Sequence, residues 1–113
     1  MEVGFGQARM AALFNDSRQL RRKYGAERAR KIQLRLDQMI AATTLKELCQ
    51  FPQARCHELT SDRRGQFSLD LDGPYRLIVE PANEPVPTSA DGGIDRSQVT
   101  RLRVLEIVDT HGK

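Results

Sequence analysis

Residues 55 to 80 constrain the fold of this chain more than any other stretch. Spaced apolar positions in and around this stretch predict three strands, over residues 54 to 60, 66 to 71 and 75 to 80. A polar bend ending in Gly65 and the turn Asp72-Gly73-Pro74 separate the three runs. Strands joined by turns this short pair with their neighbours in opposite directions, so the stretch predicts an antiparallel meander with His57 near its first edge.

Two helices are predicted before the meander, because the apolar residues there recur at spacings of three and four. The first covers residues 7 to 22, with a kink near residue 16, and the second covers residues 26 to 42. Gly25 separates them, since glycine adopts a left-handed cap conformation at little cost. The two helices form a hairpin whose apolar stripe requires a partner, and the sheet provides one.

The remaining segments complete one domain over residues 1 to 113. Residues 81 to 98 contain three prolines and two adjacent glycines, which predicts a loop of unusual length, and residues 100 to 108 are rich in β-branched residues and predict a last strand. Glu2 to Phe5 form either an edge strand or a frayed terminus. The predicted fold is therefore α+β, with an N-terminal two-helix hairpin packed on a twisted antiparallel sheet of about four strands.

Charge is distributed unevenly along the chain. Residues 1 to 50 hold ten Lys or Arg residues against five Asp or Glu residues, whereas residues 51 to 113 hold eight against ten. A basic helical face can contact phosphates, although composition alone favours charges that merely solvate the helices. Apolar runs are too short for a membrane span and the first residues do not resemble a signal peptide, so we expect a cytoplasmic protein.

The two cysteines, Cys49 and Cys56, are predicted to be ordinary thiols. They lie seven positions apart without further cysteine or histidine residues at the spacing of metal ligands. A disulfide is not expected in a reducing cytosol.

The order of the strands brings chemically active residues to one end of the sheet. If the strands alternate in direction, then Arg55, His57 and Arg76 lie at the same end as the segment Asp109 to His111. Two histidines, two arginines and an aspartate suit cleavage of RNA by its own 2′-hydroxyl, which needs a base, an acid and fixed cations. Neither a metal nor another cofactor is expected. The alternative is structural, with His57 a satisfied strand residue and Arg76 paired to a buried acid, for example Glu58 or Glu106.

The chain resembles the RelE/ParE superfamily of toxins from bacterial type II toxin-antitoxin systems, and most closely the HigB-like plasmid-maintenance killer proteins. The resemblance covers nearly the whole chain and rests on these blocks: Leu13-Phe14, Tyr24-Gly25, residues 56 to 83, residues 91 to 95 and residues 105 to 111. It implies a RelE-like fold and a toxin that cuts messenger RNA on the ribosome without a metal and so inhibits translation. It also implies a HigA-like helix-turn-helix antitoxin as partner, with operator DNA contacted only through that antitoxin.

The resemblance also implies roles for individual residues. Catalysis is assigned to His57, Arg76, Asp109 and His111. RNA contacts are assigned to Arg55, Arg63, Arg64, Phe67 and Thr110. The family pattern has a lysine at the position of Thr60 and a tyrosine at the position of Thr110, so a phosphate-neutralising cation and a stacking ring are missing. Arg63 or Arg64 can replace the first and Phe67 the second, and we expect weaker or differently selective cleavage.

Two other functions remain open at this point. A ParE-like toxin inhibits DNA gyrase by binding and needs no catalytic histidine. A catalytically weakened toxin serves only antitoxin binding and autoregulation. The two histidines at one end of the predicted sheet favour the nuclease.

Overall fold

The computed structural model describes residues 1–110, which form an α+β fold of four α-helices and five strands. The helices are α1 (Ala8–Phe14), α2 (Ser17–Tyr24), α3 (Ala26–Ala41) and α4 (Leu45–Leu48). The strands are β1 (Glu2–Phe5), β2 (His57–Glu58), β3 (Phe67–Asp70), β4 (Tyr75–Pro81) and β5 (Arg101–Asp109). No helix of this described part is long and apolar enough to cross a membrane.

The prediction of one kinked helix over residues 7 to 22 is wrong, because this segment forms two helices, α1 and α2. Asp16 separates them, because its carboxylate accepts hydrogen bonds from the backbone N–H groups of Arg18 and Gln19 and caps α2. The second predicted helix agrees with α3. Gly25 lies between α2 and α3 with a φ of +84° and a ψ of 162°, a conformation that is essentially restricted to glycine.

The sheet is mixed and has the strand order β1-β5-β4-β3-β2, so the prediction of about four antiparallel strands is wrong. Glu2–Phe5 is an edge strand that pairs in parallel with β5, from Glu2 opposite Arg101 to Phe5 opposite Val104. Parallel pairing requires a long crossover connection, and the rest of the chain between β1 and β5 provides it. The other strand pairs are antiparallel, as the meander predicted.

Strand β2 is much shorter than the predicted strand over residues 54 to 60. It contains only His57 and Glu58, which pair with Ser68 and Phe67. Arg55 has a φ of +47°, and this left-handed conformation interrupts the extended backbone just before the strand. The first strand of the meander is therefore reduced to a bridge at the edge of the sheet.

The core lies between the helices and one face of the sheet. The strand residues of this core are Phe67, Leu69, Leu77, Val79, Leu102 and Val104, which share one buried cluster with the apolar stripe of α3. Ser68, Asp70, Arg76 and Ile78 alternate with these positions and therefore lie on the opposite face. We call it the open face for the partly exposed Asp70 and Arg76 at its end, since Ser68 and Ile78 are buried.

Candidate functional site

Of the residues that the strand order predicted to lie together, Arg55, Arg76 and Asp109 share one end of the sheet. Asp70 is opposite Arg76, and Arg76 is opposite Val108, which directly precedes Asp109. The backbone N–H of Asp70 donates to the carbonyl of Ala54 at 2.8 Å, so Arg55 also belongs to this end. His57 lies further along β2, opposite Ser68, and therefore on the open face.

His57 has a defined ring tautomer. Its Nδ1 is 3.0 Å from the carbonyl oxygen of Arg55. A carbonyl oxygen accepts hydrogen bonds and cannot donate one, so Nδ1 carries the hydrogen and Nε2 of the neutral ring keeps its lone pair. The side chain is exposed, and Nε2 makes no hydrogen bond to any residue between 1 and 110. The left-handed backbone at Arg55 thus orients an imidazole that can accept a proton from a bound molecule.

Asp70 holds two arginines together on the open face. Its carboxylate oxygens lie 3.1 Å from Arg76 Nε and 3.5 Å from Arg55 Nε. The Arg55 side chain is 76% exposed, whereas that of Asp70 is only 19% exposed, so the outermost charge of the cluster is a guanidinium. Two cations around one carboxylate leave an excess positive charge that attracts an anion. Arg76 therefore does pair with a largely buried acid, as the structural alternative expected, but the acid is Asp70 rather than Glu58 or Glu106.

Arg63 extends across the open face. Its Nη2 donates to Glu106 on β5 at 2.6 Å and its Nε donates to Gln66 at 2.8 Å. Arg63 lies in the segment between β2 and β3 whereas Glu106 lies on β5, so this contact ties that segment to a strand on the far side of β4. Arg64 is exposed and forms no ion pair within the described part of the chain. Arg64 is therefore freer than Arg63 to replace the lysine that the family pattern has at the position of Thr60.

Two predicted site residues within the described part of the chain, Asp109 and Phe67, do not contribute a side chain to the open face. Asp109 is opposite Tyr75, whose ring contacts Arg28 of α3, so the register turns Asp109 toward the helices. Phe67 is fully buried and is not available to stack on a base. His111 lies outside the described residues.

Thr110 closes the end of β5 onto the turn that precedes β4. Its backbone N–H and its Oγ1 both donate to the carbonyl of Pro74, at 2.9 Å and 2.7 Å. The hydroxyl group of Thr110 is thus already bonded to the backbone.

Glu58 and Glu106, the acids first considered for Arg76, instead contact Arg96 and Arg63.

Arg35 is a positioning residue that the sequence analysis missed. It is 2% exposed, and it donates to the carbonyls of Asp70 at 2.6 Å and Gln53 at 2.8 Å. Burial lowers the pKa of its guanidinium, and the nearby Asp70 carboxylate opposes that effect. Arg35 therefore fixes the backbone directly behind the Asp70 cluster. A detectable signal existed, because Arg35 lies between Ile32 and Met39 on the apolar stripe of α3.

Cys49 and Cys56 are not independent thiols, since their sulfurs are 3.2 Å apart. The hydrogen bond with Cys56 lowers the pKa of Cys49 to about 7, with a further contribution from Arg96, whose Nη1 is 3.9 Å from the sulfur. The same hydrogen bond and burial raise the pKa of Cys56.

Within residues 1–110, no three His, Cys, Asp or Glu residues are grouped so as to hold a metal ion.

Comparisons with known proteins provide no assignment. No protein-family model matches the chain, and no curated protein matches it either.

Proposed function

We propose that this protein is a RelE-like toxin of a type II toxin-antitoxin system, which cleaves messenger RNA on the ribosome without a metal. The observation that carries the proposal is the exposed His57 imidazole, with its Nδ1 hydrogen-bonded to Arg55, on the same open face as the Arg55 and Arg76 guanidiniums. A proton acceptor beside fixed cations is the combination that intramolecular RNA cleavage requires. We expect the protein to act in the cytoplasm.

In the proposed mechanism, His57 Nε2 accepts the proton of a ribose 2′-hydroxyl, whose oxygen attacks the adjacent phosphorus. Arg55 and Arg76 stabilise the negative charge that develops on the phosphoryl oxygens. Asp70 orients both guanidiniums, and Arg35 orients the backbone of Asp70 from the opposite side. His111 keeps the proposed role of the acid that protonates the leaving 5′-oxygen.

The proposed partners are messenger RNA, the ribosome and a HigA-like antitoxin, through which alone the toxin contacts operator DNA. A groove of about 430 Å³ between α2 and α3 suits the antitoxin, because it is lined by the apolar residues Leu20, Ala29 and Leu34 and by Arg21 and Arg30. An amphipathic helix with acidic flanks fits such a surface. The groove is on the helical side of the molecule, so it leaves the open face to RNA.

The test is single-turnover cleavage of a defined message on programmed ribosomes. We expect His57→Gln to reduce the rate constant by about 100-fold or more, because glutamine cannot accept the proton. Arg55→Gln should also slow cleavage, and its exposure makes it a substitution that the fold tolerates. Gln98→Ala, an exposed change in the loop before β5, is the matched control. Cleavage by folded His57→Gln at the wild-type rate would eliminate the proposed site.

One observation favours a function without cleavage. Asp109 faces the helices, so among residues 1–110 His57 is not joined by a second proton-transfer group from the end of β5. A ParE-like gyrase inhibitor or a weakened toxin has no need of one. Expression in bacteria discriminates the three functions: a nuclease stops translation, a gyrase inhibitor induces DNA damage signalling, and a weakened toxin is harmless without antitoxin.

A further inference from the structure

Cys49 and Cys56 form a dithiol pair that the proposed RNA cleavage does not use. Their sulfurs are 3.2 Å apart, although the residues belong to different elements: Cys49 directly follows α4 and Cys56 directly precedes β2. The chain between them turns back through two hydrogen bonds, from Phe51 N–H to the Leu48 carbonyl and from Ala54 N–H to the Phe51 carbonyl. The fold therefore holds the two sulfurs together.

The two thiols have different surroundings. Cys49 is half-buried and lies beside the Arg96 guanidinium, whereas Cys56 is 8% exposed and belongs to the core. Arg96 is itself fixed, since it lies over the Phe67 ring at 5.0 Å and 3.7 Å from the Glu58 carboxylate. A thiolate at Cys49 is stabilised by this cation and by a hydrogen bond from the Cys56 thiol. Cys49 is thus the accessible nucleophile and Cys56 its protected partner.

We propose that Cys49 and Cys56 are a hydroperoxide-reactive site, in which Cys49 is the attacking thiolate and Cys56 is the resolving thiol. The pair is a modification site that is separate from the RNA chemistry. Its substrate class is hydrogen peroxide or a small organic hydroperoxide, which the half-buried position of Cys49 admits.

The reaction proceeds in two balanced steps. The Cys49 thiolate attacks the terminal oxygen of the hydroperoxide, the O–O bond breaks, and the leaving oxygen takes a proton to become water or an alcohol. Cys49 is then a sulfenic acid. The Cys56 sulfur attacks the Cys49 sulfur, the S–O bond breaks, and the oxygen leaves as water with the Cys56 proton. Overall the two thiols lose two electrons and two protons to one hydroperoxide.

The pair also lies next to the candidate site in the chain. A disulfide bond is about 2 Å long, so the sulfurs must approach from the 3.2 Å that now separates them. Cys56 directly precedes His57, whose Nδ1 is bonded to the carbonyl of Arg55. Disulfide formation therefore shifts Cys56, the residue that directly precedes His57.

The experiment exposes the reduced full chain to hydrogen peroxide and follows free thiols by alkylation and intact mass. We expect both thiols to disappear together, with the loss of two hydrogen atoms and no cross-linked dimer. The initial rate should increase with pH with a midpoint near the Cys49 pKa of about 7. This profile needs no variant and therefore does not depend on any substitution being tolerated.

Three variants assign the roles. Cys56→Ser should accumulate a sulfenic acid at Cys49, which dimedone labels, and Cys49→Ser should leave Cys56 unoxidised. Arg96→Met should slow the reaction at neutral pH by roughly threefold or more, because it removes the cation beside the thiolate. The proposal is overturned if wild-type protein keeps both thiols under peroxide that oxidises glutathione, or if dimedone labels Cys56 rather than Cys49.

Discussion

At the scale of single residues, arginines divide into those that build the fold and those that remain available. Arg35 is buried and binds backbone carbonyls, and Arg28 bridges α3 to the turn before β4 through a 3.0 Å contact with Asp72. Arg55 is largely exposed and has Asp70 as its ion-pair partner. Because an exposed guanidinium gives up little when it exchanges water for phosphate, Arg55 is the better anion ligand of the three.

Arg35→Met should destabilise the protein by about 3 kcal/mol, because the carbonyls of Gln53 and Asp70 lose their charged donor. The measurement is the free energy of unfolding in urea. Arg101→Met is the control, since Arg101 is exposed and its ion pair with Glu2 lies at the surface, so it should change stability by less than about 1 kcal/mol. Equal effects of the two substitutions would show that Arg35 does not support the backbone of Asp70.

At the scale of elements, short polar or glycine breaks determine how the helices are arranged. Asn15 ends α1, Asp16 begins α2, and Gly25 turns the chain between α2 and α3. The two helices pack side by side, and Leu20 and Ala29 are buried where they meet the core. The groove proposed for the antitoxin therefore depends on the turn at Gly25.

Gly25→Ala should cost roughly 1–3 kcal/mol, because a side chain is strained at a φ of +84° even where space is open. Gly4→Ala is the matched control: Gly4 lies in edge strand β1 without a positive φ, and an added Cβ there meets nothing within 4 Å. Thermal and urea unfolding of both variants give the comparison. A Gly25→Ala protein as stable as Gly4→Ala would contradict the proposed conformation of this turn.

At the scale of the whole molecule, one core joins the N-terminal helices to the sheet. Phe14, Leu20 and Met39 from three helices share their buried cluster with Phe67 and Val104 from the sheet. Within residues 1–110, both layers contribute most of their buried apolar side chains to this one cluster. Unfolding of either the helices or the sheet therefore exposes the apolar side chains that the other layer contributes to the shared core.

Denaturant unfolding should accordingly follow a single two-state transition. Far-UV circular dichroism, which follows the helices, should give the same midpoint as tyrosine fluorescence, which reports on Tyr24 at the end of α2 and Tyr75 in β4. Separate midpoints would instead indicate that the helical hairpin unfolds independently of the sheet.

Local patterns in the sequence predicted much of this architecture. The spacing of apolar residues identified α3 closely, and the turn residues identified the meander, because helix and strand periods are local properties of a chain. The alternation of strand directions also brought Arg55, Arg76 and Asp109 to one end of the sheet. The identity of the proposed RNA chemistry follows from these residue types and from the resemblance to the toxin family, and it stays a prediction.

The tertiary structure decided which groups meet. The sequence alone was enough to predict α3, the antiparallel pairing of β3 with β4, and the end of the sheet at which Arg55, Arg76 and Asp109 collect. Register alone turned Asp109 toward the helices and Arg76 toward Asp70, because a shift of one residue in a strand reverses the face of every side chain. The parallel pairing of β1, the burial of Phe67 and the contact between Cys49 and Cys56 also depend on long-range packing, which no local pattern encodes.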